Sequence, residues 1–220
     1  MPSETLTAAT RELMHRSPII PVLTVSGPDD GVRQARALTA GGLPVLEVTL
    51  RTPGALAAIA AMRAAIPAAI IGAGTIVDPA QINAAIDAGA AFLVSPGMTQ
   101  RLAEAAARAP VPFLPGIATA SEALALRDHG FRAMKFFPAE AAGGVRYLAA
   151  LAGPLPELVF CPTGGIDAAG AAIYLAQPNV LCVGGSWMVP KALVEAADYA
   201  GIERLARETV AVLGRRPPAS

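Results

Sequence analysis

One rhythm governs the chain. A short apolar run, a turn rich in Gly or Pro and an Ala-rich amphipathic stretch follow one another again and again. The apolar runs cover 19–25, 45–49, 70–73, 92–94, 113–115, 133–136, 159–161 and 181–183. Between and after them lie helical patterns at 30–40, 55–65, 79–88, 100–108, 121–129, 145–151, 168–176 and 201–213, and a further one at 4–15 precedes the first run. Strand starts recur about every 20–27 residues, the length of one βα unit with short connections. Nearly continuous apolar strands are expected where a parallel sheet is covered on both faces. Eight such units predict an α/β fold, specifically a (β/α)8 TIM barrel with an extra N-terminal helix. An open doubly wound sheet usually carries GxGxxG after its first strand, and Ser26-Gly27-Pro28-Asp29 does not supply it. No composition break divides the chain. The reading is one domain over 1–220, with the helix in 1–17, the barrel in 18–213 and a tail in 214–220.

Composition narrows the function. Of 220 residues, 54% are hydrophobic and 15% charged, which is ample apolar surface to offset chain entropy. Seventeen basic residues balance seventeen acidic ones, so no net field draws nucleic acid or an anionic membrane. The most apolar stretch, 55–74, is interrupted by Arg63 and Pro67, which argues against a membrane span. The first sixteen residues carry Glu4 and Glu12 and no apolar core, unlike a signal peptide, so a cytoplasmic protein is expected. Cys161 and Cys182 sit in apolar runs and read as buried thiols. No His, Cys, Asp and Glu spacing resembles a zinc site, and His15 and His129 offer little to a Ser-His-Asp arrangement.

Barrel active sites form at the C-terminal ends of the strands, so polar residues there carry the information. Lys135 lies between apolar neighbours on the sixth predicted strand, in a chain with two lysines and fifteen arginines. A charged lysine is costly to bury, and burial favours the free amine that a nucleophile attacking a carbonyl needs. A lysine paired with a carboxylate for stability is the plainer reading. Glu47 interrupts the second strand, and Arg51 follows it just past the strand end, where its fork could clamp a carboxylate. Taken alone, those two could equally be a structural pair. An amine, a carboxylate and a carboxylate-binding arginine together are what imine chemistry on a keto acid requires.

Thr75 and Ser95-Pro96-Gly97 end the third and fourth strands, where plain turn geometry competes with ligand contact. Pro162-Thr163-Gly164-Gly165 and Gly184-Gly185-Ser186-Trp187 follow the last two strands, where barrels commonly hold a phosphate on backbone N–H groups. Trp187 reads as packing.

The segments 42–52 (GLPVLEVTLRT), 72–75 (GAGT), 95–97 (SPG), 114–117 (LPGI), 130–140 (GFRAMKFFPAE), 160–166 (FCPTGGI) and 183–187 (VGGSW) together resemble the 2-dehydro-3-deoxy-phosphogluconate (KDPG) aldolase family, in order over about 18–213. The resemblance implies a class I aldolase cleaving 2-dehydro-3-deoxy-6-phospho-D-gluconate to pyruvate and D-glyceraldehyde 3-phosphate. It implies Lys135 as the Schiff-base lysine and Glu47 as the general acid/base. Arg51, helped by Thr75 and the Pro96 loop, would take the carboxylate of the pyruvyl part, and Thr163 the hydroxyl-bearing part. Gly164, Gly165, Gly185 and Ser186 would cradle the phosphate. The resemblance further implies a homotrimer acting on a small phosphorylated keto-sugar acid, with no metal and no cofactor. The competing readings are the same chemistry on 2-dehydro-3-deoxy-6-phosphogalactonate or 4-hydroxy-2-oxoglutarate, a non-covalent isomerase on a phosphate-binding barrel, and a catalytically silent binding protein.

Overall fold

The computed structural model describes Pro2 and residues 4–214. An N-terminal helix α1 (Glu4–His15) leads into alternating strands and helices: β1 (Ile19–Leu23), α2 (Pro28–Ala40), β2 (Val45–Thr49), α3 (Ala55–Ala65), β3 (Ile70–Gly74), α4 (Pro79–Asp87), β4 (Leu93–Val94) and α5 (Gln100–Ala106). Two short strands, β5 (Phe113–Leu114) and β6 (Gly116–Ile117), come next. The chain continues through α6 (Ala120–Asp128), β7 (Ala133–Phe136), α7 (Gly144–Ala152), β8 (Val159–Pro162), α8 (Ala168–Leu175), β9 (Val183–Gly185), α9 (Lys191–Glu195) and α10 (Tyr199–Leu213).

Every strand pairing is parallel. One ladder runs in the order β5-β4-β3-β2-β1-β9 and the other β6-β7-β8. Isolated bridges, Phe160 with Val180 and Thr163 with Gly184, tie β8 to the segment carrying β9. The result is a curled parallel sheet wrapped by helices.

Side chains alternate between the two faces of this sheet, as the pleat requires. Leu46 and Val48 of β2, Met134 and Phe136 of β7 and Phe160 of β8 point outward into the larger apolar cluster beneath the helices. Val45, Ala133, Val159 and Cys161, from the same strands, point the other way into a second cluster with Ile20, Phe92, Val94, Leu114 and Cys182. Leu13 and Met14 of α1 belong to that inner cluster, so the N-terminal helix closes the end of the curl opposite the strand C-termini. Two-sided burial explains why the strands read as continuous apolar runs.

Helix boundaries follow local chemistry. Capping boxes start α4, at Asp78 with Gln81, and α6, at Thr119 with Glu122. The expected runs at 45–49 and 133–136 and the helices at 55–65 and 4–15 match observed elements end to end.

Three readings need correction. The run at 113–115 is strand only over Phe113–Leu114, and a second strand starts at Gly116, because Pro115 between them has no N–H to donate to a ladder. Its carbonyl instead accepts from the Lys135 N–H at 2.8 Å, and the chain passes from pairing with β4 to pairing with β7. The last strand lies at Val183–Gly185 rather than 181–183, and the short α9 is an element that no periodicity signalled. The expected tail falls, beyond Gly214, outside the described residues.

Candidate active site

The inward alternation that fills the curl with Val45 and Ala133 brings Glu47 and Lys135 inside two residues further along β2 and β7. Both are buried, at 3% and 5% exposure. The Lys135 Nζ donates to Glu47 Oε1 at 3.1 Å and lies 3.4 Å from Oε2. It also sits 5.4 Å from the centre of the Phe137 ring. A buried ion pair is a poor means of stabilisation, because desolvating both charges offsets most of their attraction. A carboxylate within reach of an amine is, however, the geometry that proton transfer at that amine needs.

Room for the pair comes from β3. A Cβ on Gly74 would stand 2.1 Å from Glu47 Oε1, so only glycine leaves the carboxylate its place. Across the curl, a Cβ on Gly184 would stand 2.2 Å from the Thr163 hydroxyl.

Arg51 does not pair with Glu47. It lies exposed past the end of β2, and its Nε donates to Thr75 Oγ1 at 3.2 Å. Thr75 holds φ at +62°, a left-handed conformation that a β-branched residue adopts at a cost. Strain of this kind is concentrated at functional sites. Pro96 is half-buried at the end of β4, and the neighbouring Ser95 hydroxyl accepts from the Gly116 N–H at 3.0 Å. That bond joins the loop to the β5–β6 junction.

Thr163 is buried at the end of β8, and its carbonyl accepts from the Ala139 N–H at 2.8 Å. Gly164 and Gly165 follow with φ of +104° and +79°, which only glycine adopts freely. Ser186 is exposed just past Gly185. It lines a cavity of about 700 Å³ with Thr24, Ser26, Thr52 and Lys191. The inner wall of that cavity includes Val22, which pairs in register with Glu47. Trp187 packs against the core, with its indole N–H donating to Thr209 at 3.0 Å.

Lys135, Arg51, Thr75, Pro96, Thr163 and Ser186 therefore sit near or just beyond strand C-termini, and Glu47 points inward from the middle of β2. The structure brings Lys135 to Glu47 and Arg51 to Thr75, while Ser186 and the Gly164-Gly165 turn stand on the adjoining last strands.

Sequence reading missed several polar groups. The Thr24 and Thr49 hydroxyls lie 3.2 Å apart at the inward positions next to Glu47, and a strict two-residue count along β1 and β2 would have found them. Glu140 and Tyr174, joined by a 2.5 Å hydrogen bond, are 34 residues apart and carried no local signal. Both cysteines are buried. Among the described residues, no group of three or more His, Cys, Asp and Glu side chains is placed to hold a metal ion, and no helix is long and apolar enough to cross a membrane.

Comparison with known proteins bears on this geometry directly. The family model described as "Aldolase: KDPG and KHG aldolase" matches residues 10–205. The chain belongs to the KDPG and KHG aldolase family. The KHG/KDPG aldolase of Escherichia coli K12 is 48% identical over 202 residues, covering 92% of this chain and 95% of that protein. A crystal structure of the 2-keto-3-deoxy-6-phosphogluconate aldolase of Zymomonas mobilis ZM4 with 3-phosphoglycerate superposes with a TM-score of 0.90 at 42% identity, covering 97% and 100% of the two chains. The KDPG aldolase of Legionella pneumophila, whose crystal holds pyruvate captured at low pH as a covalent carbinolamine intermediate, gives 0.89 at 42% identity, covering 91% and 97%.

Proposed function

We propose that the protein is a class I aldolase that cleaves 2-dehydro-3-deoxy-6-phospho-D-gluconate to pyruvate and D-glyceraldehyde 3-phosphate through a Schiff base on Lys135. The observation that carries this reading is the buried amine facing a buried carboxylate at 3.1 Å. The Lys135 amine adds to the C2 ketone, and Glu47 protonates the carbinolamine oxygen so that it leaves as water. The protonated imine is an electron sink. Loss of the C4 hydroxyl proton, to Glu47 directly or through a water, breaks the C3–C4 bond, and its electron pair enters the imine as an enamine. Glyceraldehyde 3-phosphate departs. Protonation at C3 and hydrolysis then release pyruvate and restore the amine.

Arg51, Thr75 and the Pro96 loop hold the carboxylate end, and Thr163 meets a substrate hydroxyl. Gly164, Gly165, Gly185 and Ser186 hold the phosphate. Fixing both ends keeps the scissile bond over the amine, which is the positioning advantage of a bound substrate. Borohydride reduction in the presence of pyruvate should leave a stable adduct on Lys135, located by mass spectrometry. An adduct on Lys191 alone, or none, would overturn the scheme.

The name of the 48% identical E. coli relative covers two substrates, which supports 4-hydroxy-2-oxoglutarate as a second substrate here. It would form the same enamine and release glyoxylate.

The same reading takes the curled sheet as a closed (β/α)8 barrel in a single domain, with α1 across its base. Support comes from the chain itself. β5 and β6 are joined through Pro115, and the bridge from Thr163 to Gly184 carries the pairing from β8 round to β9 and β1. A homotrimer rests on the family resemblance. A cytoplasmic location is proposed along with that family membership.

A further inference from the structure

The turn after β7 and the turn after β8 are built as one unit. The Ala139 N–H donates to the Thr163 carbonyl at 2.8 Å, and the Glu140 N–H to the Gly164 carbonyl at 3.1 Å. Gly165 has no Cβ to spare: one would stand 2.9 Å from both Cβ and Cγ of Glu140. The Glu140 side chain thus runs along the back of the Gly164-Gly165 turn and ends at Tyr174 on α8. There the phenol donates to Oε1 at 2.5 Å. Tyr174 is 2% exposed and its ring is set in the core under the helices. Burial first, and the adjacent Glu140 carboxylate second, push the phenol well above its ordinary value, so the hydroxyl remains a donor at any working pH. The helix carrying Tyr174 starts three residues after Gly165, with the Asp167 side chain accepting from the Gly170 N–H at 2.7 Å. The glycine turn is therefore held at both ends. Its entry is tied by backbone bonds to the β7 turn, and its exit through α8 and Tyr174 to Glu140.

Glycines give a turn its shape but also its freedom, since they lose more conformational entropy on ordering than other residues. Two successive glycines with positive φ would sample many conformations without an external restraint. The segment that supplies the restraint begins at Glu140, only five residues beyond Lys135.

We propose that the Tyr174–Glu140 hydrogen bond is a positioning device for the reaction, holding the Gly164-Gly165 turn at a set distance from the Lys135 amine. This rests on the aldolase reading above, which places the substrate phosphate on that turn. Tyr174 and Glu140 are assigned here as positioning residues. Both act through the backbone of the turn, so their effect falls on the phosphate end and spares the amine.

The test compares two reactions in the full-length protein. Tyr174→Phe keeps the ring and removes only the donor. It should raise the KM for 2-dehydro-3-deoxy-6-phosphogluconate about tenfold, the worth of a lost hydrogen bond to a charged acceptor. The rate of borohydride trapping with pyruvate, which has no phosphate end, should stay within about twofold of the unmodified protein on the same scale of energies. Glu140→Gln still accepts from the phenol and should retain most of the affinity, whereas Glu140→Ala should match Tyr174→Phe. Because the residues act as a pair, the double variant should be no worse than either single one.

Equal losses in both reactions, or single effects that multiply in the double variant, would overturn the proposal. So would an unchanged KM. Should Tyr174→Phe fail to fold, the contrast between Glu140→Gln and Glu140→Ala decides alone, because the core ring is intact in both. If the unmodified protein released no pyruvate from the phosphorylated substrate, the aldolase reading itself would fall, which is a separate result.

Discussion

At the scale of single residues, the site is defined by what surrounds one amine. Lys135 and Glu47 are each 3–5% exposed and form one buried ion pair, so a substitution that removes either charge leaves the other buried without its partner. That coupling makes Glu47 the informative substitution. Glu47→Gln keeps an acceptor oxygen and the volume but cannot carry the proton. Turnover should fall about 10²-fold or more, the scale of general acid–base catalysis, with a much smaller change in KM. Steady-state kinetics on the phosphorylated substrate decides this, and an unaltered kcat would make Glu47 a structural partner only. Legibility at this scale was high for chemistry and low for pairing. Lys135 stood out as a lysine inside an apolar run of an arginine-rich chain. That Glu47 would pair with Lys135 rather than Arg51, four residues away, depended on the side to which each strand turns its odd positions.

At the scale of elements, each strand has an inner and an outer row, and the two ends of the inner row do different work. Towards the C-termini it holds Glu47, Lys135 and Thr163. Towards the N-termini it is apolar, and α1 seals it with Leu13 and Met14. Met14→Ala should therefore cost about 2–5 kcal/mol of stability, as expected for a fully buried side chain that leaves a cavity. Catalysis at the opposite end should be spared. Urea unfolding and kcat/KM measured on the same sample check both halves. A loss below about 0.5 kcal/mol, the range of ordinary surface changes, would mean that α1 does not seal the curl. The helix itself was legible at 4–15, since its amphipathic pattern is local. Its destination was not, because nothing in the pattern says which apolar surface it meets. The break at Pro115 was legible in principle, as proline cannot donate to a ladder. The short α9 was not, because five residues carry too little periodicity.

At the scale of the molecule, the βα repeat built a sheet whose strand ends meet at one mouth, and residues far apart in the chain became neighbours there. Lys135 and Glu47 are 88 positions apart and Tyr174 and Glu140 are 34 apart. The assembly proposed on family grounds has a direct readout. Sedimentation equilibrium should give a particle of three chain masses, and a monomer or dimer would remove the trimer from the reading.

The alternation of strand and helix, the two-sided burial of the strands and the residue types that suit imine chemistry followed from the sequence by itself, because each depends on neighbours within a few residues. Only the tertiary structure decided which side chain faces which. Register, the inward or outward turn of each residue and the clefts left by Gly74, Gly165 and Gly184 are set by contacts between strands and turns that the linear order does not encode locally.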